Sequence, residues 1–192
     1  MHRLDSRAPF VLDTRELGRR AGAMRELTLT APAPSNLGLA VIGVPEASPI
    51  ELNVRLEAVV DGVLVSGTAS VELAGECVRC LESVTSAMDV TFQELYVYPE
   101  DHSNGHRRGE QPAEDDEDET ARLEGDLLDL EPVVRDAVVL ALPFQPVCRE
   151  DCPGLCVECG ALLAGDPDHH HASTDPRWAA LNDLNVIEKE ES

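Results

Sequence analysis

An α+β fold, predominantly antiparallel sheet with a few short helices and a cysteine-rich C-terminal arm, is predicted by three features of the chain. Residues 51–75 form two runs of alternating apolar and polar residues joined at Asp61-Gly62, a period of two that places one face of each strand in a core. A second alternation, Val84, Ser86, Met88, Val90 and Phe92, begins just after Cys77 and Cys80. An apolar run of helical character, "PVVRDAVVLAL", then precedes Pro143, which cannot continue a helix.

Taken in order, "DTRELGRRAG" carries a cap at Asp13 or Thr14 and a stop at Gly22, which predicts a short helix. "RELTLTA" follows as a strand. Residues 31–48 hold three prolines and read as loop, with an extended apolar piece at "LGLAVIGV". In the first hairpin Leu52, Val54, Leu56 and Ala58 share one face, opposite Asn53, Arg55 and Glu57. Val63, Val65, Gly67, Ala69, Val71 and Leu73 repeat the alternation, and Asp61-Gly62 favours a tight type I′ turn between the two strands. "ECVRCLES" then sits at the tip of another strand–turn–strand.

Residues 100–121 are polar, charged and without pattern, so they are expected to form a disordered acidic insertion. Asp129 and Pro132 suit the start of the apolar helix. Asp175 and Pro176 open a further short helix, "PRWAALNDL". The chain of 192 residues is expected to be a single domain, 1–192, with residues 146–185 as a Cys/His-rich arm.

The formal charge is −22, and the six consecutive acids at 114–119 supply only six of those charges. So acidic a surface disfavours autonomous binding to naked nucleic acid, whose affinity comes from Lys and Arg displacing counterions. A basic protein partner would be attracted. Arginines gather only near the N-terminus, where Arg15, Arg19 and Arg20 are the candidates for any contact with nucleic acid. No run approaches the roughly 20 apolar residues of a membrane helix. Without the apolar core of a secretory signal at the start of the chain, the expectation is a cytoplasmic protein whose thiols stay reduced, so clustered cysteines read as metal ligands.

Six cysteines are available. A Cys-x-x-Cys turn aims two thiolates at one ion, and two such pairs complete a tetrahedral zinc site. Cys156-Val157-Glu158-Cys159-Gly160 has this form; Cys77-Val78-Arg79-Cys80 has it less well, with Leu81 in place of the glycine. Two ligand sets compete. The favoured one is the local cluster Cys148, Cys152, Cys156 and Cys159, with His169 or His171 able to replace a member, because neighbouring ligands need little loop closure. The alternative joins Cys77 and Cys80 to Cys156 and Cys159 across the fold. A closed thiolate-rich site offers no open position beside a general base, and no hydrolase, deaminase or phosphate-loop motif is present. Enzymatic activity is not expected.

"CVRCL" at 77–81, "CREDCPGLCVECG" at 148–160 and "TDPRWAAL" at 174–181 together resemble the YceD-type large ribosomal RNA subunit accumulation proteins. The resemblance spans roughly residues 10–185. It implies a bacterial, non-enzymatic role in accumulation or processing of 23S rRNA and in large-subunit assembly. It also implies metal binding, with Cys77 and Cys80 matching the first cysteine pair and Cys148, Cys152, Cys156 and Cys159 the C-terminal block. Many relatives follow that block with Cys-x-Cys, where this chain has His169 and His171 at the same spacing. The partners expected are a basic ribosomal protein or the pre-50S particle. The competing readings are a zinc protein that binds RNA directly and a thiol redox sensor or chaperone.

Overall fold

The computed structural model describes residues 4–99 and 121–171, and they fall into two compact units, Met1–Cys148 and Arg149–Ser192. The first unit is built on a five-stranded antiparallel sheet: β2 (Met24–Pro32), β3 (Ile42–Gly43), β4 (Pro49–Ala58), β5 (Gly62–Glu76) and β6 (Ser83–Val97). β1 (Val11–Asp13) pairs antiparallel with β7 (Leu127–Asp129) in a separate two-stranded sheet. The single described α-helix, α1, runs Glu131–Ala141 and packs on β6. The predicted class, mostly antiparallel sheet with little helix, is the observed one.

β5 organises the sheet. Along one edge it pairs with β4 (Glu51↔Ser70 to Ala58↔Val63) and then with β3 (Ile42↔Gly75). Along the other it pairs with β6 without a break, from Gly62↔Val97 to Glu76↔Ser83. β2 extends the sheet beyond β4. Alternation sets the burial as expected: Ile50, Leu52, Val54, Leu56 and Ala58 of β4 are buried, as are Val63, Val65, Ala69, Val71 and Leu73 of β5. Val90, Phe92 and Tyr96 continue this core on β6, and Leu128, Leu130, Val134, Val138 and Leu142 cover it. With few aromatics, the core is closed by Val, Leu and Ala. The Tyr96 hydroxyl donates to the Asp129 carbonyl at 2.6 Å, tying β6 to the entrance of α1, and burial pushes this phenol well above its usual range.

The sequence expectation is corrected at two points. No helix forms at 14–22; the segment is a series of turns, with Gly18 and Gly22 both at positive φ. Thr14 is drawn away from a helical cap, since both its N–H and its hydroxyl donate to the Asp126 carbonyl. Nor do Asp61 and Gly62 form a type I′ turn, which needs positive φ at both central residues; neither has it. Gly62 instead opens β5, and a Cβ there would lie 2.1 Å from the Tyr96 carbonyl oxygen. The glycine is needed for close strand approach rather than for turning.

At the helix start the cap position falls to Leu130, which makes no side-chain cap, rather than to Asp129 as expected. The Asp129 carboxylate accepts the Glu131 N–H at 2.9 Å, and Pro132 occupies the first turn. Of the acidic insertion expected at 100–121, all but Ala121 lies outside the described residues, as does the helix expected from Pro176. Gly62→Ala is expected to destabilise the sheet unit by about 2 kcal/mol or more, because backbone must move to admit the methyl group. Asp61→Ala should stay within about 0.5 kcal/mol. Urea unfolding of the two variants checks this, and a turn role for the pair would reverse the asymmetry.

Candidate metal centres

The β5–β6 hairpin closes through residues 77–82, and this reversal is where the first cysteines stand. The Cys77 N–H donates to the Glu82 carbonyl and the Leu81 N–H to the Cys77 carbonyl, both at 2.8 Å. Closing this way requires positive φ at the residue after the second cysteine, and Leu81 adopts it (φ 63°). In the second unit the same pattern recurs: Cys156 N–H to the Ala161 carbonyl and Gly160 N–H to the Cys156 carbonyl, both 2.8 Å, with Gly160 at φ 72°. The two Cys-x-x-Cys segments are therefore the same knuckle, one closed by glycine and the other by a leucine held in a glycine conformation. The substitution that weakens the sequence motif does not change its geometry.

In the first unit a third thiol joins the hairpin knuckle. The Val78 N–H donates to the Pro146 carbonyl at 2.9 Å, which holds the segment after α1 against the hairpin tip. Pro143, by ending the helix, frees the chain to reach it. Cys148 Sγ then lies 3.7 Å from Cys80 Sγ, and the sulfurs of Cys77, Cys80 and Cys148 fall within 4.8 Å of one another. With Zn–S near 2.3 Å, the sulfurs of a tetrahedral site stand roughly 3.8 Å apart. Cys77 and Cys80 are buried. Burial pushes the Cys77 thiol up, but the backbone N–H groups of Cys148, Cys80 and Arg79, with the Cys80 thiol, outweigh it and bring it down to about 6. Donors aimed at sulfur favour the thiolate, the form that binds metal.

In the second unit Cys156, Cys159, His169 and His171 place their ligand atoms within 4.8 Å of one another. His169 Nε2 and His171 Nε2 each lie 3.3 Å from Cys159 Sγ and 2.9 Å from each other. The backbone N–H groups of Cys159 and Glu158 lower the Cys156 thiol to about 6, against a smaller effect of burial. His170 is turned aside, its Nδ1 2.9 Å from the Asp168 carbonyl. Cys152, also in this unit, is buried, and its N–H donates to the Arg149 carbonyl. Each set could hold a metal ion.

This grouping differs from the local set Cys148, Cys152, Cys156 and Cys159 favoured by spacing, and from the alternative joining Cys77 and Cys80 to Cys156 and Cys159. The reason is register: the Pro146–Val78 hydrogen bond delivers Cys148 to the hairpin, a long-range contact with no local signal. His169 and His171, secondary by sequence, stand directly at the second knuckle.

Three of the N-terminal arginines are engaged by acids, while the candidate Arg20 is exposed. Arg15 is paired with Asp13, and Arg25 with Glu16 at 2.8 Å; Arg19 lies 3.8 Å from Asp126 and over the Tyr98 ring. An open groove of about 800 Å³ on the sheet is lined by residues such as Thr28, Asn53, Arg55, Thr68 and Gln93, with no cysteine or histidine among them. Among the described residues no helix is long and apolar enough to cross a membrane.

The fold and these clusters define an antiparallel-sheet protein bearing two Cys-x-x-Cys knuckles whose ligand groups could hold a metal ion. Residues 65–185 match the family described as large ribosomal RNA subunit accumulation protein YceD, and the chain belongs to that family. It is similar to the uncharacterized protein Rv2926c of Mycobacterium tuberculosis, at 42% identity over 177 residues covering 92% of this chain and 82% of that one. It is likewise similar to the uncharacterized protein ML1660 of Mycobacterium leprae, at 40% identity with 92% and 78% covered. No solved structure matches the chain.

Leu81→Gly is expected to stabilise the sheet unit by about 1 kcal/mol, the strain of a left-handed leucine less the added freedom of the unfolded glycine. Gly160→Ala should weaken the second knuckle through strain alone, since a Cβ there meets nothing within 4 Å. Chemical denaturation reads the first effect and zinc competition with a chromophoric chelator the second.

Proposed function

We propose that the protein is a non-enzymatic factor supporting 23S rRNA accumulation and assembly of the large ribosomal subunit, acting as an acidic adaptor for a basic ribosomal protein or the pre-50S particle. Membership of the YceD family carries the reading. The charge of −22 favours a basic partner and disfavours bare rRNA, and the pairing of Arg15 and Arg25 with carboxylates removes much of the positive surface a direct contact would need. The site of action is the cytoplasm, where ribosomes assemble.

The same reading assigns a structural zinc ion to Cys77, Cys80 and Cys148. Such a structural thiolate site contributes folding energy. Its role is to hold the segment after α1 to the hairpin tip.

Depletion of the protein is expected to lower the ratio of 23S to 16S rRNA and to leave pre-50S particles, with the protein co-sedimenting with those particles in sucrose gradients. Unchanged ratios and no co-sedimentation would refute the assembly role; tight binding to naked 23S fragments at physiological salt would replace the adaptor with a direct RNA binder. For the metal, elemental analysis should show Cys80→Ser and Cys148→Ser each losing the same zinc. Retention of that zinc in Cys80→Ser would return the assignment to the local cluster 148–159.

A further inference from the structure

The second unit presents an energetic problem that its ligand set answers. Among its described residues, Cys152 is the only one with a buried side chain beyond glycine: Val157 and Leu162 are exposed, and Leu155 and Leu163 are only partly covered. Among these described residues the secondary structure amounts to one bridge, Leu155↔Leu162, and a 3-10 turn at Leu163–Gly165. A segment with so little buried apolar surface cannot offset the entropy of ordering its backbone. Yet residues 154–169 are closed by a consistent set of hydrogen bonds, including Leu163 N–H to the Gly154 carbonyl and His169 N–H to the Asp166 carbonyl.

The four ligand atoms lie within 4.8 Å of one another. Two imidazole nitrogens at 2.9 Å from each other, both 3.3 Å from one sulfur, are close to the edges of a tetrahedron around an ion with bonds near 2.0–2.3 Å. The choice is selective: of three consecutive histidines, the outer two converge and His170 does not. The short turn Asp166–His169 sets that phase. Two thiolates and two neutral imidazoles balance a divalent cation and leave no net charge, which suits a segment already carrying Glu158, Asp166 and Asp168.

We infer that the C-terminal unit binds a zinc-class divalent ion of its own through Cys156, Cys159, His169 and His171, and that this ion orders the arm. It goes beyond the thiolate site of the first unit, with which it shares no ligand, so each can fail without the other. The borderline-soft N2S2 set selects Zn(II), or Co(II) as its spectroscopic substitute, over Mg(II) and Ca(II).

The test uses the full chain without a histidine tag, zinc-loaded and dialysed without chelator. His169→Ala/His171→Ala is expected to lose about one zinc per chain relative to wild type, and His170→Ala none. The double variant should be cut within residues 152–171 on the order of tenfold faster in limited proteolysis, while urea unfolding of the sheet unit is unchanged. Cobalt-loaded wild type minus the double variant should show thiolate-to-cobalt absorption appropriate to two sulfurs. Cys159→Ser serves as the second variant if the first misfolds, and should show the same zinc loss and exposure. Equal zinc in the double variant and wild type, equal loss in His170→Ala, or an arm no more sensitive to protease when the ion is gone would each overturn the inference.

Discussion

The continuous pairing of β5 with β6 is the constraint on which the first unit depends. Fifteen residues of each strand are matched from Gly62↔Val97 to Glu76↔Ser83, so the reversal at 77–82 is placed by the whole ladder rather than by its own preference. That reversal is also the ligand-bearing turn. Its two closing hydrogen bonds orient Cys77 and Cys80 through backbone geometry, and the sheet behind them is rigid and closely packed. A metal site built on a sheet in this way has little freedom left to lose when the ion arrives, which is the condition for precise coordination. The same ladder explains the strained Leu81: the register demands a left-handed residue there, and the sheet supplies the energy to hold one.

Charge enters at a second level. Thiolates gathered within a few ångströms repel one another, and they do so on a chain that already carries −22. Backbone N–H groups directed at Cys77 and Cys156 relieve part of this, and a divalent ion would relieve most of the rest. The two units then differ in what an ion would do. In the first, the sheet core closes independently over β4, β5, β6 and α1, so a bound ion would fasten a segment to a body already packed. In the second, the described residues provide almost no core, and apparent binding energies of about 10–16 kcal/mol for structural zinc in small peptides are of the size needed to replace one.

The parts of the fold legible in the sequence were those governed by local periodicity. Alternation located β4, β5 and β6 and their buried faces, and Pro132 and Pro143 framed α1, because burial on one side of a strand or helix leaves a direct trace in residue order. The failures have physical causes of the same kind. Gly62 looked like a turn residue, yet its constraint is the Tyr96 backbone opposite, a neighbour 34 positions away in sequence. The helix expected at 14–22 lost its cap to Asp126. β1 is three residues long and is stabilised by β7 more than a hundred residues away, so no local pattern could announce it. At the metal centres the ligand types and both knuckles were readable, whereas their assortment was not. Cys148 goes to the hairpin through backbone hydrogen bonds, Val78 N–H to Pro146 and Cys148 N–H to the Cys77 sulfur, and backbone hydrogen bonds leave no side-chain signature.

The acidic surface and the metal centres belong to one argument about partners. A nucleic-acid binder concentrates unpaired Arg and Lys where phosphates will lie, but here Arg15, Arg19 and Arg25 each face a carboxylate from their own unit. Those contacts are largely exposed and contribute little stability; their effect is to cancel charge locally. What remains at longer range is a negative field, which within a Debye length of about 8 Å at physiological ionic strength accelerates encounter with positive surfaces and repels phosphate. A chain this acidic, with Arg15, Arg19 and Arg25 each facing a carboxylate, has a field that favours positively charged surfaces over phosphate.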